Sequence, residues 1–318
     1  MLLNMKCPPI TKVLIFVCYL LAPLTKANAI SNCFSFIPYA TNGSFVQLPE
    51  DKEFCFHYSG KKTQMSTNHL GGRVIKGNQL KDGIIAFGES QLLGLDVSDY
   101  TKSAKHELSV LFSSVPLTIY AAPNNGPLQA LRQMKRVHDI DPISNKAIVI
   151  GFNYGTDIFR IQKHWDPKKF VPLDMTQLER SFEIPGYHDI TLFIARLRGV
   201  KFGSTVSNSE MIRKFYSKIT DQRRNQDIDD WLSQLKNSEL RLASSKNFIL
   251  YPPYWNVGAN EIFQKKVQKD YFALACKVFK ADLFDRLLVS EMPSKNTKFA
   301  SDNRHFLSSA LTYQEYSC

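Results

Sequence analysis

The sequence predicts an α/β fold of three layers. A parallel sheet lies between helices on both faces, with a small β-rich lead-in before it and an α+β insertion within it. Two observations predict this. Beyond residue 80, five short apolar runs bounded by turn residues alternate with stretches of helical spacing, as in strand–helix–strand units whose strands are buried on both sides. The composition agrees: the 318 residues are 44% hydrophobic, 12% aromatic and 22% charged. That is ordinary for a globular chain and excludes collagen-like, coiled-coil and disordered classes.

The N-terminus has a separate logic. Lys6 and Lys12 precede an apolar run from Val13 to Leu24, which closes on Thr25-Lys26-Ala27-Asn28-Ala29. A basic start, a short apolar stretch and a small-x-small ending form the pattern of a secretory signal peptide over residues 1–29. The alternative is an uncleaved anchor, but about a dozen apolar residues span a bilayer poorly. The expected protein is therefore exported, to a periplasm or to the outside.

Cleavage after Ala29 removes three lysines and no acids, so the formal charge falls from +11 to +8. An anionic partner is expected for so basic a surface. Cleavage also removes Cys7 and Cys18 and leaves Cys33, Cys55, Cys276 and Cys318. An even number in an oxidising compartment suggests two disulfides, for which three connectivities exist. Cys33–Cys55 with Cys276–Cys318 is the favoured pairing, because each brackets one end of the chain. No C-x-x-C occurs, which disfavours zinc and thioredoxin-like chemistry.

Residues 30–80 form the lead-in: Phe34–Ile37, Phe45–Leu48 and Phe54–Tyr58 alternate with Asn42-Gly43, Pro49 and Ser59-Gly60, a pattern of short strands and turns. Asn42-Gly43-Ser44 is also a glycosylation sequon, though a tight turn is its simpler meaning. From residue 81 to 318 a single larger domain follows. Its strands are expected at Gly83–Phe87, Pro116–Ala122, Lys146–Phe152, Asn247–Tyr251 and Arg286–Ser290, with helical spacing over Leu128–Val137 and Glu261–Lys280. Residues 165–245 read as the insertion, with an apolar strand at Ile190–Ile194 and a polar helix over Ser209–Leu242.

In open α/β sheets ligands bind beyond the carboxyl ends of the strands. Here those ends carry Ser90, then Asn124-Asn125-Gly126, then Asn153, and Ser301-Asp302-Asn303-Arg304-His305 follows the last strand. Together they supply a nucleophile, oxyanion donors, a base and a group to orient it. Each has a plainer reading as a helix cap, a turn residue or a surface histidine. Their order along the chain favours the catalytic one.

These residues resemble the SGNH/GDSL family of serine hydrolases and acyltransferases. Gly88-Glu89-Ser90 matches its G-D-S block with Glu for Asp, and Gly126 is the candidate for its glycine block. Gly151-Phe152-Asn153 matches the G-x-N-D block, except that Tyr154 replaces the final Asp. Asp302-Asn303-Arg304-His305 matches D-x-x-H. The resemblance covers about residues 80–308 and implies an SGNH-hydrolase-like sheet. It implies Ser90 as nucleophile, His305 as base and Asp302 as its partner, with an oxyanion hole from the Ser90 and Gly126 amides and the Asn153 side chain.

The expected activity is that of an exported esterase removing acyl groups, acetyl foremost, from a cell-envelope or extracellular glycan. A polysaccharide O-acetyltransferase would use the same triad and a membrane-associated acyl-donor partner. An inactive glycan-binding protein is the third reading. The expected partner is an acylated, anionic carbohydrate and not nucleic acid, since the basic pairs Lys135-Arg136, Lys168-Lys169, Arg223-Arg224 and Lys265-Lys266 are scattered. No cofactor or metal is expected: G-x-G-x-x-G, P-loop and H-E-x-x-H motifs are absent. His164-Trp165-Asp166 and His188-Asp189 read as surface or core-edge groups. Tyr251-Pro252-Pro253-Tyr254-Trp255 offers rings that could stack on a sugar.

Overall fold

The computed structural model describes residues 33–58, 60–75, 83–95, 116–143, 146–162, 165–171, 173–199, 219–238, 245–252, 261–291 and 313–318. The lead-in opens with two antiparallel hairpins, β1 (Ala40–Asn42) with β2 (Phe45–Gln47) and β3 (Glu53–Tyr58) with β4 (Lys61–Ser66). Its last strand, β5 (Arg73–Ile75), leaves them and joins the main sheet.

All five apolar runs are strands of that sheet: β6 (Ile84–Gly88), β7 (Leu117–Ala121), β8 (Ala147–Asn153), β9 (Lys246–Tyr251) and β10 (Arg286–Ser290). They are parallel and stand in the order β7-β6-β8-β9-β10. The antiparallel edges are β5, beside β7, and β11 (Tyr313–Glu315), beside β10. With β6 as the first parallel strand this order is 2-1-3-4-5, a doubly wound sheet whose direction of winding reverses between β6 and β8.

Strand alternation divides the core in two. Ile85, Phe87, Ile148, Ile150, Phe248 and Leu250 face a helical layer. It contains α2 (Pro127–Ile140), α6 (Asp221–Asn237) and α7 (Glu261–Lys280); the short α1 (Ser90–Leu93) and α3 (Tyr154–Arg160) follow β6 and β8 directly. In α6 the buried Ile228, Trp231, Leu232 and Leu235 recur at helical spacing, which turns a mostly polar segment into one face of the core. The Tyr271 hydroxyl of α7 sits 2.8 Å from the Leu250 carbonyl and 2.9 Å from that of Ser290, tying the helix to two adjacent strand ends.

On the opposite face the lead-in joins the helical cover: Ile37, Tyr39, Val46, Leu48, Phe54, Phe56 and Met65 pack with Ile84, Ala86, Ile119 and Val149, and Leu92 and Leu93 of α1 belong to the same cluster. A hairpin with one apolar side buries a sheet face as a helix does, and β3 buries Phe54, Phe56 and Tyr58 on alternate positions, with the disulfide-bonded Cys55 buried between them. Asn125 fixes the junction. Its side chain accepts from the Val46 N–H and donates to the Val46 carbonyl, both at 2.8 Å, so it imitates a strand neighbour beyond the end of β7.

The insertion differs from expectation. Ile190–Ile194 is not a strand but lies within α5 (Tyr187–Leu197), which follows α4 (Met175–Glu183). A run of five residues cannot distinguish the two by composition. The deciding residues lie outside it: Gly186 enters the helix at φ 77°, and Leu192 and Ala195 are buried while Phe193, Ile194 and Leu197 are exposed. His188 is buried, with its ring edge-on to Phe34 at 5.0 Å, which leaves the core-edge reading of the two given for it.

Cys33–Cys55 and Cys276–Cys318 are both bonded. Two disulfides point to an extracellular or periplasmic setting. No helix among the described residues is long and apolar enough to cross a membrane. Residues 1–29 lie outside the described residues.

Candidate active site

The chain leaves β6 through Gly88 into a tight turn built by Glu89. This residue is the N-cap of α1: its Oε1 accepts the Gln91 N–H at 2.7 Å, and its Oε2 accepts the Ser90 hydroxyl at 2.6 Å. Ser90 is thus the first helical residue, and Glu89 is the cap. The longer Glu for Asp folds back and braces both the helix start and the serine. Behind the turn, the buried Arg73 of edge strand β5 donates to the carbonyls of Leu93 (2.7 Å) and Gly94 (2.9 Å). It satisfies the last carbonyls of α1, which a helix this short cannot satisfy itself.

The second turn follows β8. Phe87 pairs with Ile150 across the sheet, so Ser90 and Asn153 each lie three residues beyond a paired position. Gly88 and Gly151 leave room for Leu92: a Cβ on Gly88 would stand 2.9 Å from Leu92 Cδ2 and 3.1 Å from the Gly151 carbonyl oxygen. Two side chains here would lift α1, and Ser90 with it. Asn153 is completely buried, and its Oδ1 accepts the Gly155 N–H at 2.9 Å, capping α3. Its Nδ2 has no hydrogen-bond partner. A buried amide donor left unpaired costs about 1–3 kcal/mol, and no acceptor for it stands among the described residues.

Below these turns lie two buried carboxyls and one guanidinium. The Asn153 backbone N–H donates to Asp157 Oδ2 at 2.8 Å. Arg160 Nη1 is 3.0 Å from the Asn125 carbonyl oxygen, 3.7 Å from Asp157 Oδ1 and 4.0 Å from Glu89 Oε2. The guanidinium lies over the Trp165 ring, 5.7 Å from its centre, and Trp165 Nε1 donates to the Asn124 carbonyl at 3.2 Å. Burial, and then the charge of Glu89, push the Asp157 carboxyl well above the usual carboxylate range, against the opposing pull of Arg160 and the Asn153 hydrogen bond.

This raised value has a consequence for stability. The native state holds a proton on Asp157 where the unfolded chain has lost it, so the stabilisation present at acid pH fades as pH rises through the native value. Asp157→Asn keeps an acceptor for the Asn153 N–H and removes the charge. Its urea midpoint should therefore fall less than that of the unaltered protein between pH 4.5 and 7.5. Parallel pH profiles for the two proteins would refute this.

No family model and no curated protein matches this chain. Ser90 and Asn153 stand at neighbouring strand ends flanking the point where the winding reverses. Gly126 opens α2 as expected, but its N–H donates to Gln129 Oε1 at 3.0 Å, so in this arrangement that amide is engaged within its own helix. The glycine is required for another reason: a Cβ there would lie 2.3 Å from Arg160 Cβ. Asp302 and His305 lie outside the described residues, as do Tyr254 and Trp255. Among the described residues, no group of three or more His, Cys, Asp or Glu could hold a metal ion.

Arg73, Asp157, Arg160 and Trp165 were not singled out from the sequence as site residues. The i,i+3 spacing of Asp157 and Arg160 just after Asn153 is the one local signal that points to them. The open groove between α6 and α7, lined by Leu232, Lys236, Cys276 and Lys280, shares no lining residue with this site.

Proposed function

We propose that this protein is an exported serine esterase of SGNH type that removes acyl groups, acetyl foremost, from an extracellular or cell-envelope glycan. One observation carries the proposal. Ser90 and the unpaired Asn153 amide stand at adjacent strand ends beside the winding reversal, which supports a nucleophile and an oxyanion donor acting on one carbonyl.

The chemistry follows from these groups with those expected at Asp302 and His305. Ser90 Oγ attacks the ester carbonyl carbon while His305 takes its proton, and Asp302 orients the imidazole. Charge gathers on the carbonyl oxygen, which the Asn153 Nδ2–H and the Ser90 N–H would meet. Collapse expels the sugar alkoxide, protonated by His305, and leaves an acyl-serine. Water, deprotonated by the same histidine, then releases the acid and restores Ser90. The mature charge of +8 supports an anionic glycan as the carrier of the ester.

The test uses the mature protein with an activated acetyl ester, with and without an acidic polysaccharide, beside labelling by a fluorophosphonate. Acetate release and an adduct mapped to the Ser90 peptide are expected. Acetyl appearing on the polysaccharide would make the enzyme a transferase. No turnover and no Ser90 adduct would sink the proposal.

A further inference from the structure

We infer that Arg160 is a positioning residue that locks three strand-end turns into one rigid unit, so that the nucleophile turn and the Asn153 turn keep a fixed relation. This deepens the reading of Ser90 and Asn153 as site residues and rests on it. One nitrogen, Nη1 of α3, stands among oxygens of the turn after β6 (Glu89), the turn after β7 (Asn125) and Asp157, which lies on α3 itself and accepts the Asn153 N–H at the end of β8. These three strands are neighbours in the sheet, and the Arg160 side chain reaches oxygens beyond the ends of all three.

The surroundings fix Arg160 as well as being fixed by it. Trp165 lies under the guanidinium, stacks on Phe170 at 4.8 Å and bonds to the loop carbonyl of Asn124. Asn124 holds that carbonyl in place at φ 68°, a left-handed conformation that asparagine tolerates better than most residues. Gly126 provides the passage, since any Cβ there would meet the Arg160 Cβ and backbone oxygen. Only an arginine presents a planar, permanently charged fork that can face several acceptors while stacked on an indole. The buried Tyr39 hydroxyl also lies in the field of this charge, which offsets part of the upward push of burial on the phenol.

The test pairs Arg160→Ala with Arg160→Lys and with Gly126→Ala, which displaces the arginine without removing it. Hydrogen exchange is read on the full mature protein, together with steady-state turnover of the acetyl ester. In Arg160→Ala and Gly126→Ala, amides of residues 89–93, 124–128 and 153–157 should all exchange faster, by about tenfold, an opening of about 1.4 kcal/mol in each turn. Turnover should fall about 100-fold in kcat with KM changed less than threefold, the signature of misplaced groups rather than lost binding. Arg160→Lys should restore part of kcat and little of the exchange protection.

Faster exchange confined to residues 157–165, with the Glu89 and Asn125 turns unchanged, would overturn the inference. So would exchange raised uniformly over the sheet, which marks general destabilisation. The exchange result decides the role of Arg160 even if the protein proves inactive on esters, in which case only the esterase reading fails.

Discussion

Ser90→Ala is expected to abolish ester turnover, and Asn153→Ala to leave a small measurable remainder. The two differ because the residues fail in different ways. Without Ser90 no acyl-enzyme forms, and loss of a triad nucleophile costs about 10⁴–10⁶-fold in kcat. Without the Asn153 amide the covalent route survives, but the developing oxyanion loses one donor, which costs about 100–1000-fold. Asn153→Ala also loses the cap on Gly155, so part of any loss could come from a frayed α3. Two readouts on the same variant separate the effects: turnover measured well below the unfolding transition, and hydrogen exchange over α3. Loss of kcat with unchanged exchange at residues 155–160 belongs to the missing donor, whereas faster exchange there marks the frayed helix. Full turnover in Asn153→Ala would remove the amide from the mechanism.

The sheet was legible from the sequence because buried parallel strands are continuous apolar runs, and Ile84–Gly88, Ala147–Asn153 and Arg286–Ser290 declare themselves by Ile, Val and Leu between turn residues. The helix over Glu261–Lys280 and both disulfide pairs also stand as the pattern implied. What failed depends on context beyond the window. Ile190–Ile194 is apolar and β-branched at its ends, yet the helix that contains it is set by Gly186 and by burial of Leu192 and Ala195.

The site divides the same way. Ser90 and Asn153 could be placed at strand ends because each follows its strand directly. Arg160 could not, because its three partners lie up to 71 positions away in sequence (Glu89 to Arg160) and meet only through the strand order. Gly126 was noticed for its residue type, but its reason, the close passage of Arg160, belongs to packing between two helices. Glu89 shows a third case: the sequence gives only that it stands where the resembled G-D-S block has Asp. In the structure the longer side chain serves the turn with both oxygens.

Removing the disulfides should separate stability from activity. The Cys33–Cys55 bridge spans 22 residues and Cys276–Cys318 spans 42, so loop-closure entropy gives stabilisations of about 3.4 and about 3.9 kcal/mol. Either pair of serine replacements should therefore lower the urea midpoint by a similar amount. Their effects on turnover should differ. Cys33–Cys55 lies in the lead-in, and its bond staples the start of the described chain to β3. Cys276 lies in α7, and Cys318 closes the segment that carries β11. The expected Asp302 and His305 lie in sequence between β10 and β11, and under the proposed function a bond just beyond β11 would bear on the placement of the base. Well below the unfolding transition, Cys276→Ser/Cys318→Ser should lose at least about tenfold in kcat, equivalent to about 1.4 kcal/mol of lost positioning. Cys33→Ser/Cys55→Ser should retain kcat within about twofold, because its loop lies outside the segment bearing the base. Equal turnover in the two variants, both measured fully folded, would separate the C-terminal segment from the chemistry.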